Sequence, residues 1–112
     1  MSGVADLAAT PPANPLRGEA AVRVNGAELV LRPSFQALVA AEGELGPLFD
    51  LVERAVAGKL SLGETATLFW HCLREVPDEV TREVLGEALA AMGLAKLAPI
   101  LRVLLSQILA GR

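Results

Sequence analysis

The stretch Val22–Phe35, VRVNGAELVLRPSF, decides how the chain begins to fold. Two short runs of β-favouring residues flank Asn25-Gly26, a dipeptide that tolerates the positive φ angles of a type I′ turn. The pattern predicts a two-residue loop between antiparallel strands. Almost all of the later sequence has helical spacing instead, so we predict one β-hairpin, at residues 19–32, in an α+β chain that is mainly α.

The two-residue loop fixes the register of the hairpin and therefore which side chains share a face. One face is wholly apolar and consists of Ala20, Val22, Val24, Ala27, Leu29 and Leu31. The other face carries two pairs of opposite charge, which disfavour a one-residue slip. These pairs are Glu19 with Arg32 and Arg23 with Glu28. Since an isolated hairpin is marginal in water, we expect the apolar face to dock on helices and the outer edges to stay unpaired unless something covers them.

A bundle of about four to five short helices is predicted in the helical part, residues 34–110, from capping residues and apolar spacing. Ser34 caps the first helix, and Gly46-Pro47 ends it. The second helix begins near Pro47 and stops at Gly58. The apolar positions of these two helices are Phe35, Leu38, Val39 and Leu45, followed by Leu48, Leu51, Val52, Ala55 and Val56.

The third helix has the clearest start signal, a capping box in which Ser61 and Glu64 satisfy each other's backbone donors. Its expected core face is Leu68, Phe69, Cys72, Leu73 and Val76. Asp78 or Thr81 caps the fourth helix, and Gly93 ends it. The inward positions of the fourth helix are Val80, Val84, Leu85, Ala88, Leu89 and Met92.

The fifth helix, predicted from Leu94 to Leu109, is apolar on more than one side. One stripe consists of Leu97, Leu101, Leu104 and Ile108, and Ile100 and Val103 lie outside it. Because one packing contact cannot cover all of these apolar side chains, we expect a second surface to bury the rest. Trp70, on the third helix, either packs at a helix junction or anchors a partner. The predicted partner-binding residues are therefore Trp70, Leu97, Ile100, Leu101, Val103, Leu104 and Ile108.

The 112 residues fit a single domain, which we place at residues 19–112 behind a flexible arm at residues 1–18. The net charge of −3 offers no basic patch for nucleic acid or an anionic membrane. The most apolar segment, residues 94–111, is broken by Lys96, Pro99 and Arg102, so no membrane span is predicted. The N-terminal residues do not resemble a secretory signal, and we expect a cytoplasmic protein.

Few residues offer catalytic chemistry, because His71 is the single histidine and Cys72 the single cysteine. Adjacent helical residues point about 100° apart, so these two do not form a nucleophile and base pair. Cys72 falls on an apolar face and is expected to be a buried thiol. Glu42 and Glu44 are expected to be solvated surface charges. We predict no enzymatic activity, no cofactor and no metal site.

The order of these segments resembles a small family from the tail region of gene transfer agents and related tailed phages, classed as tail assembly chaperone-like. The segments that carry the resemblance are Asn14–Glu19, VNGAELVLRPSFQALVAAEGELG from Val24, LSLGETATLFWHCLRE from Leu60 and GLAKLAPIL from Gly93. Its most specific part is the hairpin that leads into Leu31–Phe35, followed by Glu42 and Gly46 and then by Leu68-Phe69-Trp70.

The resemblance implies a non-enzymatic helper in the assembly of a phage-like tail. In related systems such a helper coats the helical tape-measure protein and recruits tail-tube subunits, so these two proteins are the implied partners. Helices of the tape measure would lie in an apolar groove, with the fifth helix as the expected contact. A structural tail component, a tube or terminator protein that forms rings through its hairpin edges, would use the same features. A chaperone is absent from finished particles, whereas a structural component is present.

Overall fold

The computed structural model describes residues 19–111, in which two strands precede five helices. The elements are β1 (Ala20–Val24), β2 (Ala27–Leu31), α1 (Phe35–Leu45), α2 (Leu48–Val56), α3 (Leu62–Cys72), α4 (Arg82–Met92) and α5 (Leu94–Ala110). The fold is α+β and mainly α, which confirms the predicted class. The predicted arm at residues 1–18 lies outside the described residues.

β1 and β2 form the antiparallel hairpin that the turn predicts. Asn25 has a φ of 53° and Gly26 a φ of 82°, and both values lie in the left-handed region that a type I′ turn requires. The register is the predicted one, with Val22 opposite Leu29 at its centre. Five of the six apolar-face side chains are buried, and the sixth, at the tip, is exposed. The hairpin is thus fixed on the helices by one face.

The charged face of the hairpin matches the prediction in one of its two pairs. The Glu19 carboxylate accepts a hydrogen bond from the Arg32 guanidinium and forms an ion pair with it. Arg23 lies opposite Glu28 in the register, but its guanidinium donates to the Gly26 carbonyl at 2.9 Å. Within the described part of the chain, Arg23 and Glu28 therefore form no ion pair, because the Arg23 guanidinium is hydrogen-bonded to the carbonyl in the turn.

Three helices begin at the side-chain caps that the sequence predicts. Ser34, Ser61 and Thr81 each accept a hydrogen bond from a backbone N–H in the first turn of α1, α3 and α4. The capping box is complete, because the Glu64 carboxylate also accepts from the Ser61 N–H at 3.0 Å. Of the two candidates for the fourth helix, Thr81 is the cap and Asp78 lies in the preceding loop.

α2 takes its cap from the helix before it. Pro47 occupies the N-cap position and makes no side-chain cap. Glu42, in the last turn of α1, instead accepts a hydrogen bond from the Leu48 N–H at 2.8 Å. This contact satisfies one of the free backbone donors at the start of α2 and holds its first turn beside the end of α1.

The core lies between the apolar face of the hairpin and the inner sides of the helices. β1 packs on α4 and α5, while α3 packs on α1 and α4. The largest fully buried side chains are Phe69, Leu31, Leu51, Leu68, Leu85, Leu89, Leu104, Val22, Val24 and Cys72. Among the described residues, one hydrophobic core therefore joins the apolar face of the hairpin to the helices.

Some apolar positions do not lie where the helical spacing predicts. Phe35, Val39 and Val56 are exposed, and α1 buries Ala37 and Ala41 instead. Alanine on the inner side lets α1 approach α3, which is its main helical neighbour, while Phe35 and Val39 face solvent. α3 ends at Cys72, so Val76 lies in a loop and is only half-buried, and the buried Leu105 was missing from the predicted stripe of α5.

The chain turns sharply between its last two helices. Gly93 ends α4 with a φ of 92°, and its N–H donates to the Leu89 carbonyl at 3.3 Å. α4 and α5 are bent by 117° relative to each other. Within residues 19–111, no single helix is long and apolar enough to cross a membrane, and only α4 and α5 taken as one bent pair meet that length and composition.

Candidate interaction surfaces

The outer edge of β2 is partly covered by the segment that follows α3. The Arg32 N–H donates to the Cys72 carbonyl at 2.7 Å. The Arg74 N–H donates to the Val30 carbonyl at 3.2 Å. These bonds close the half of the edge that is nearer to α1. On the half nearer to the turn, no backbone hydrogen bond from another described segment reaches Glu28.

Among the described residues, nothing pairs with the outer edge of β1. The residues that flank a two-residue turn exchange backbone hydrogen bonds, and the direction of the backbone groups then alternates along each strand. The N–H and C=O groups of Ala21 and Arg23 therefore point away from β2. Over residues 19–111, no backbone hydrogen bond from outside the hairpin reaches either residue. An open edge of this kind is a template for an added strand.

A groove of about 800 Å³ lies between the tip of the hairpin and the loop after α3. Its charged lining residues are Arg23, Glu28, Arg74 and Glu75, two of each sign. Its other lining residues are Gly26, Ala27, Leu29, Val30, Val76 and Pro77. No serine, threonine, cysteine or histidine is among these lining residues. It borders the open half of the β2 edge and was not predicted from the sequence.

Large apolar side chains project into solvent from α1 and α2. Phe35 is 83% exposed, and Val39 follows it one turn later on the same side of α1. Phe49 is 87% exposed, and Val52 and Val56 follow it at intervals of three and seven residues. This spacing places Phe49, Val52 and Val56 on one side of α2, and we call these three residues the α2 stripe. Within residues 19–111, the exposed members of these surfaces are Phe35, Val39, Phe49 and Val56, and Val52 is half-buried.

The predicted partner-binding residues separate into two groups. Leu97 is 4% exposed and Leu104 is 0% exposed, because α5 packs this side on β1. These two residues are part of the chain's own core and are therefore removed from the candidate surface. The others are half-buried and pack against the core, namely Trp70, Ile100, Leu101, Val103 and Ile108. A partner contact at these five residues stays a prediction.

The comparison with known families gives a match over nearly the whole chain. A family model described as phage tail tube protein, GTA-gp10, matches residues 17–111. The chain belongs to this family. The match spans both strands and all five described helices. No curated protein and no solved structure matches the chain.

Membership of the phage tail tube family makes the chain a component of a phage or gene transfer agent tail region. The resemblance found in the sequence is confirmed at this level. The description of the family names a tail tube protein and no chaperone, so the narrower chaperone class is not part of what the match supports.

One ionic cluster in this tail-family chain joins three helices. Glu44, at the end of α1, accepts hydrogen bonds from the two Arg82 guanidinium nitrogens at 3.1 Å and 2.9 Å. It also accepts from His71 Nε2 at 2.6 Å. The Arg82 guanidinium, followed by His71, holds the pKa of the Glu44 carboxyl below its ordinary value. Glu44 is exposed, as expected of a solvated charge, and α3 and α4 add two donors to it that the sequence did not indicate.

We expect this cluster to make the fold sensitive to acid. Since the pKa of Glu44 is lower in the folded chain, its contribution is present above the ordinary value of 4.5 and is lost as the pH falls through the folded-state value. Glu44→Gln should lower the urea midpoint at about pH 7 and reduce the further loss on going to about pH 3.5. Glu87→Gln, at an exposed position of α4, is the matched control. Equal acid sensitivity in wild type and Glu44→Gln would contradict the expectation.

The described residues show little reactive chemistry. Cys72 is buried, and burial raises the pKa of its thiol to about 12, which keeps it protonated and unreactive at neutral pH. Between residues 19 and 111, no three His, Cys, Asp or Glu side chains lie where they could hold a metal ion. In the part of the chain that the structure describes, the surfaces open to a partner are the β1 edge, the groove and the exposed helical sides.

Proposed function

We propose that this chain is a structural component of a phage-like tail, a tube or terminator protein that joins copies of itself into rings. The observation that carries the proposal is the match to the phage tail tube family over residues 17–111. The role is non-enzymatic and needs no cofactor. Its partners are other copies of the chain and the neighbouring proteins of the tail.

The geometry of the hairpin supports self-assembly through β1. Ala21 and Arg23 direct backbone donors and acceptors outward in a row that no described segment covers. The buried apolar face and the type I′ turn hold this row in an extended shape before any partner arrives. A strand that pairs with a preformed edge loses less conformational entropy on binding than one that must first order the edge.

The exposed apolar surfaces favour a second candidate function, that of an assembly helper. Phe35 and Phe49 lie almost fully in solvent, and a helper needs such surfaces to cover the apolar helices of a tape-measure protein. The half-buried residues of α5, among them Ile100 and Val103, are the expected contact in that role. The helper would bind the tape-measure protein and tail-tube subunits and then leave.

The composition of finished particles separates the two candidates. Purified particles are digested, and the chain is quantified by mass spectrometry with isotope-labelled peptides against a capsid protein of the same particle. We expect a fixed ratio between the two proteins in independent preparations, at a level above that of an abundant host protein. A chain that is plentiful in the producing cells and missing from finished particles would overturn the structural role and favour the helper.

A further inference from the structure

The exposed side of α2 combines apolar side chains with negative charge. Beside the α2 stripe lies Glu53, one turn after Phe49 and exposed. Asp50 is exposed on the same helix. In the described part of the chain, neither carboxylate takes part in a hydrogen bond or ion pair, whereas Arg54 is already paired with Glu64 at 2.6 Å. The surface is therefore apolar with uncompensated negative charge.

The exposed side of α5 has the complementary character. Leu94 is 70% exposed and Leu109 is 65% exposed, and Arg102 lies in solvent midway between them. At 100° per residue these three side chains fall within roughly a quarter of a turn of one another. Over the described residues, the Arg102 guanidinium takes part in no ion pair or hydrogen bond, and α5 carries no acidic residue. This side is apolar with uncompensated positive charge.

We propose that α2 of one copy packs on α5 of the next copy, with Glu53 opposite Arg102. The inference rests on the proposed self-assembly of the chain and adds a second contact to the β1 edge. Both surfaces are exposed in the same molecule, so they do not satisfy each other within one chain. The exposed apolar side chains supply burial, and the opposite charges at the centre of each surface fix which surfaces meet.

The contact is of the head-to-tail type, because two different surfaces of the same chain meet. Such a contact propagates and closes into a ring when the rotation between copies allows it, or continues as a helical filament. A closed ring and a helical filament are both assemblies from which a tail of repeated identical subunits can be built. A second copy is the favoured occupant because its α5 carries exposed apolar side chains that can cover those of α2. The same surface of α5 also carries the positive charge that complements the negative charge of α2.

Charge reversal tests this contact. Glu53→Arg and Arg102→Glu alter exposed, unpaired side chains, so each variant is expected to fold as the wild type does, which circular dichroism and a urea titration check. Each variant alone should self-associate roughly tenfold more weakly, or worse, in sedimentation velocity over a wide concentration range, because like charges now meet. Glu87→Arg, which changes the net charge by the same amount as Glu53→Arg on another helix, should associate as the wild type does.

Mixing the two charge-reversed variants tests whether the contact can be restored. In an equimolar mixture, the reversed α2 of one variant meets the reversed α5 of the other, and the two unreversed surfaces also meet. The mixture and the chain that carries both reversals should therefore associate as strongly as the wild type. A wild type that stays monomeric, single variants that associate normally, or a mixture without recovery would each overturn the contact.

The outcomes also separate this contact from the proposed function. A chain found in finished particles at a fixed ratio but indifferent to charge reversal keeps its structural role and loses this contact. A chain absent from particles whose charge-reversed mixture still recovers keeps the contact and loses the structural role. If the wild type is monomeric alone and Glu53→Arg abolishes its binding to a different tail protein, that protein is the occupant of α2 and the proposal is overturned.

Discussion

Phe69→Ala is expected to lower the free energy of unfolding by about 3 to 5 kcal/mol, which is a large part of the roughly 5 to 15 kcal/mol typical of a domain. Phe69 is fully buried and is the largest side chain in the core. It lies on α3, which packs on both α1 and α4, so the cavity left by the ring is enclosed by helices that cannot all move inward. Urea unfolding followed by circular dichroism measures the loss.

Phe35→Ala is the matched control for this prediction. The same atoms are removed, but Phe35 is 83% exposed, so neither buried area nor a cavity is at stake. The expected change in stability is within about 0.5 kcal/mol. Similar losses in the two variants would show that α1 or α3 does not pack as described. A variant of Phe35 that keeps its stability also offers a clean probe of any partner that covers α1.

The turn, the strand pairing and the register of the hairpin could be predicted because their information is local. Asn25-Gly26 sets the turn, a two-residue loop leaves one register, and the alternation of side chains follows from that register. The helix caps at Ser34 and Ser61 are local in the same sense, since each side chain bonds a backbone N–H three residues later. Such features do not depend on how the rest of the chain packs.

The orientation of the helices could not be predicted from spacing alone. On α1, both Phe35 with Val39 and Ala37 with Ala41 have helical spacing, and the larger pair was the natural choice for the core. The structure selects the alanines because α1 lies against α3, where small side chains permit close approach. That choice depends on a neighbour far along the sequence, which apolar periodicity does not specify.

Contacts between residues far apart in the sequence could also not be predicted from local patterns. Glu44 is separated from His71 by 27 residues and from Arg82 by 38, and no local pattern links them. The cover on the β2 edge has the same origin, since α1, α2 and α3 separate Arg74 from Val30 in the sequence. The burial of Leu97 and Leu104 was not foreseen for a related reason, because the side of α5 that meets the hairpin was unknown.

Ala21→Pro is expected to abolish assembly through the β1 edge while the monomer stays folded. The Ala21 N–H points outward and makes no bond within the hairpin, so its loss removes nothing that holds the monomer together. Proline at this position withdraws a donor from the edge and places a ring in the path of an approaching strand. The variant should show an unchanged urea midpoint, weakened self-association in sedimentation velocity and exclusion from finished particles.

Val22→Pro gives the opposite pattern and serves as the control. Val22 faces Leu29 at a position where the two residues exchange backbone hydrogen bonds, and its side chain is buried. Proline there breaks the ladder inside the monomer, so the urea midpoint should fall sharply, and assembly is lost through unfolding. If Ala21→Pro instead enters particles at the wild-type ratio, the β1 edge does not join copies, and the exposed helical surfaces must carry assembly by themselves.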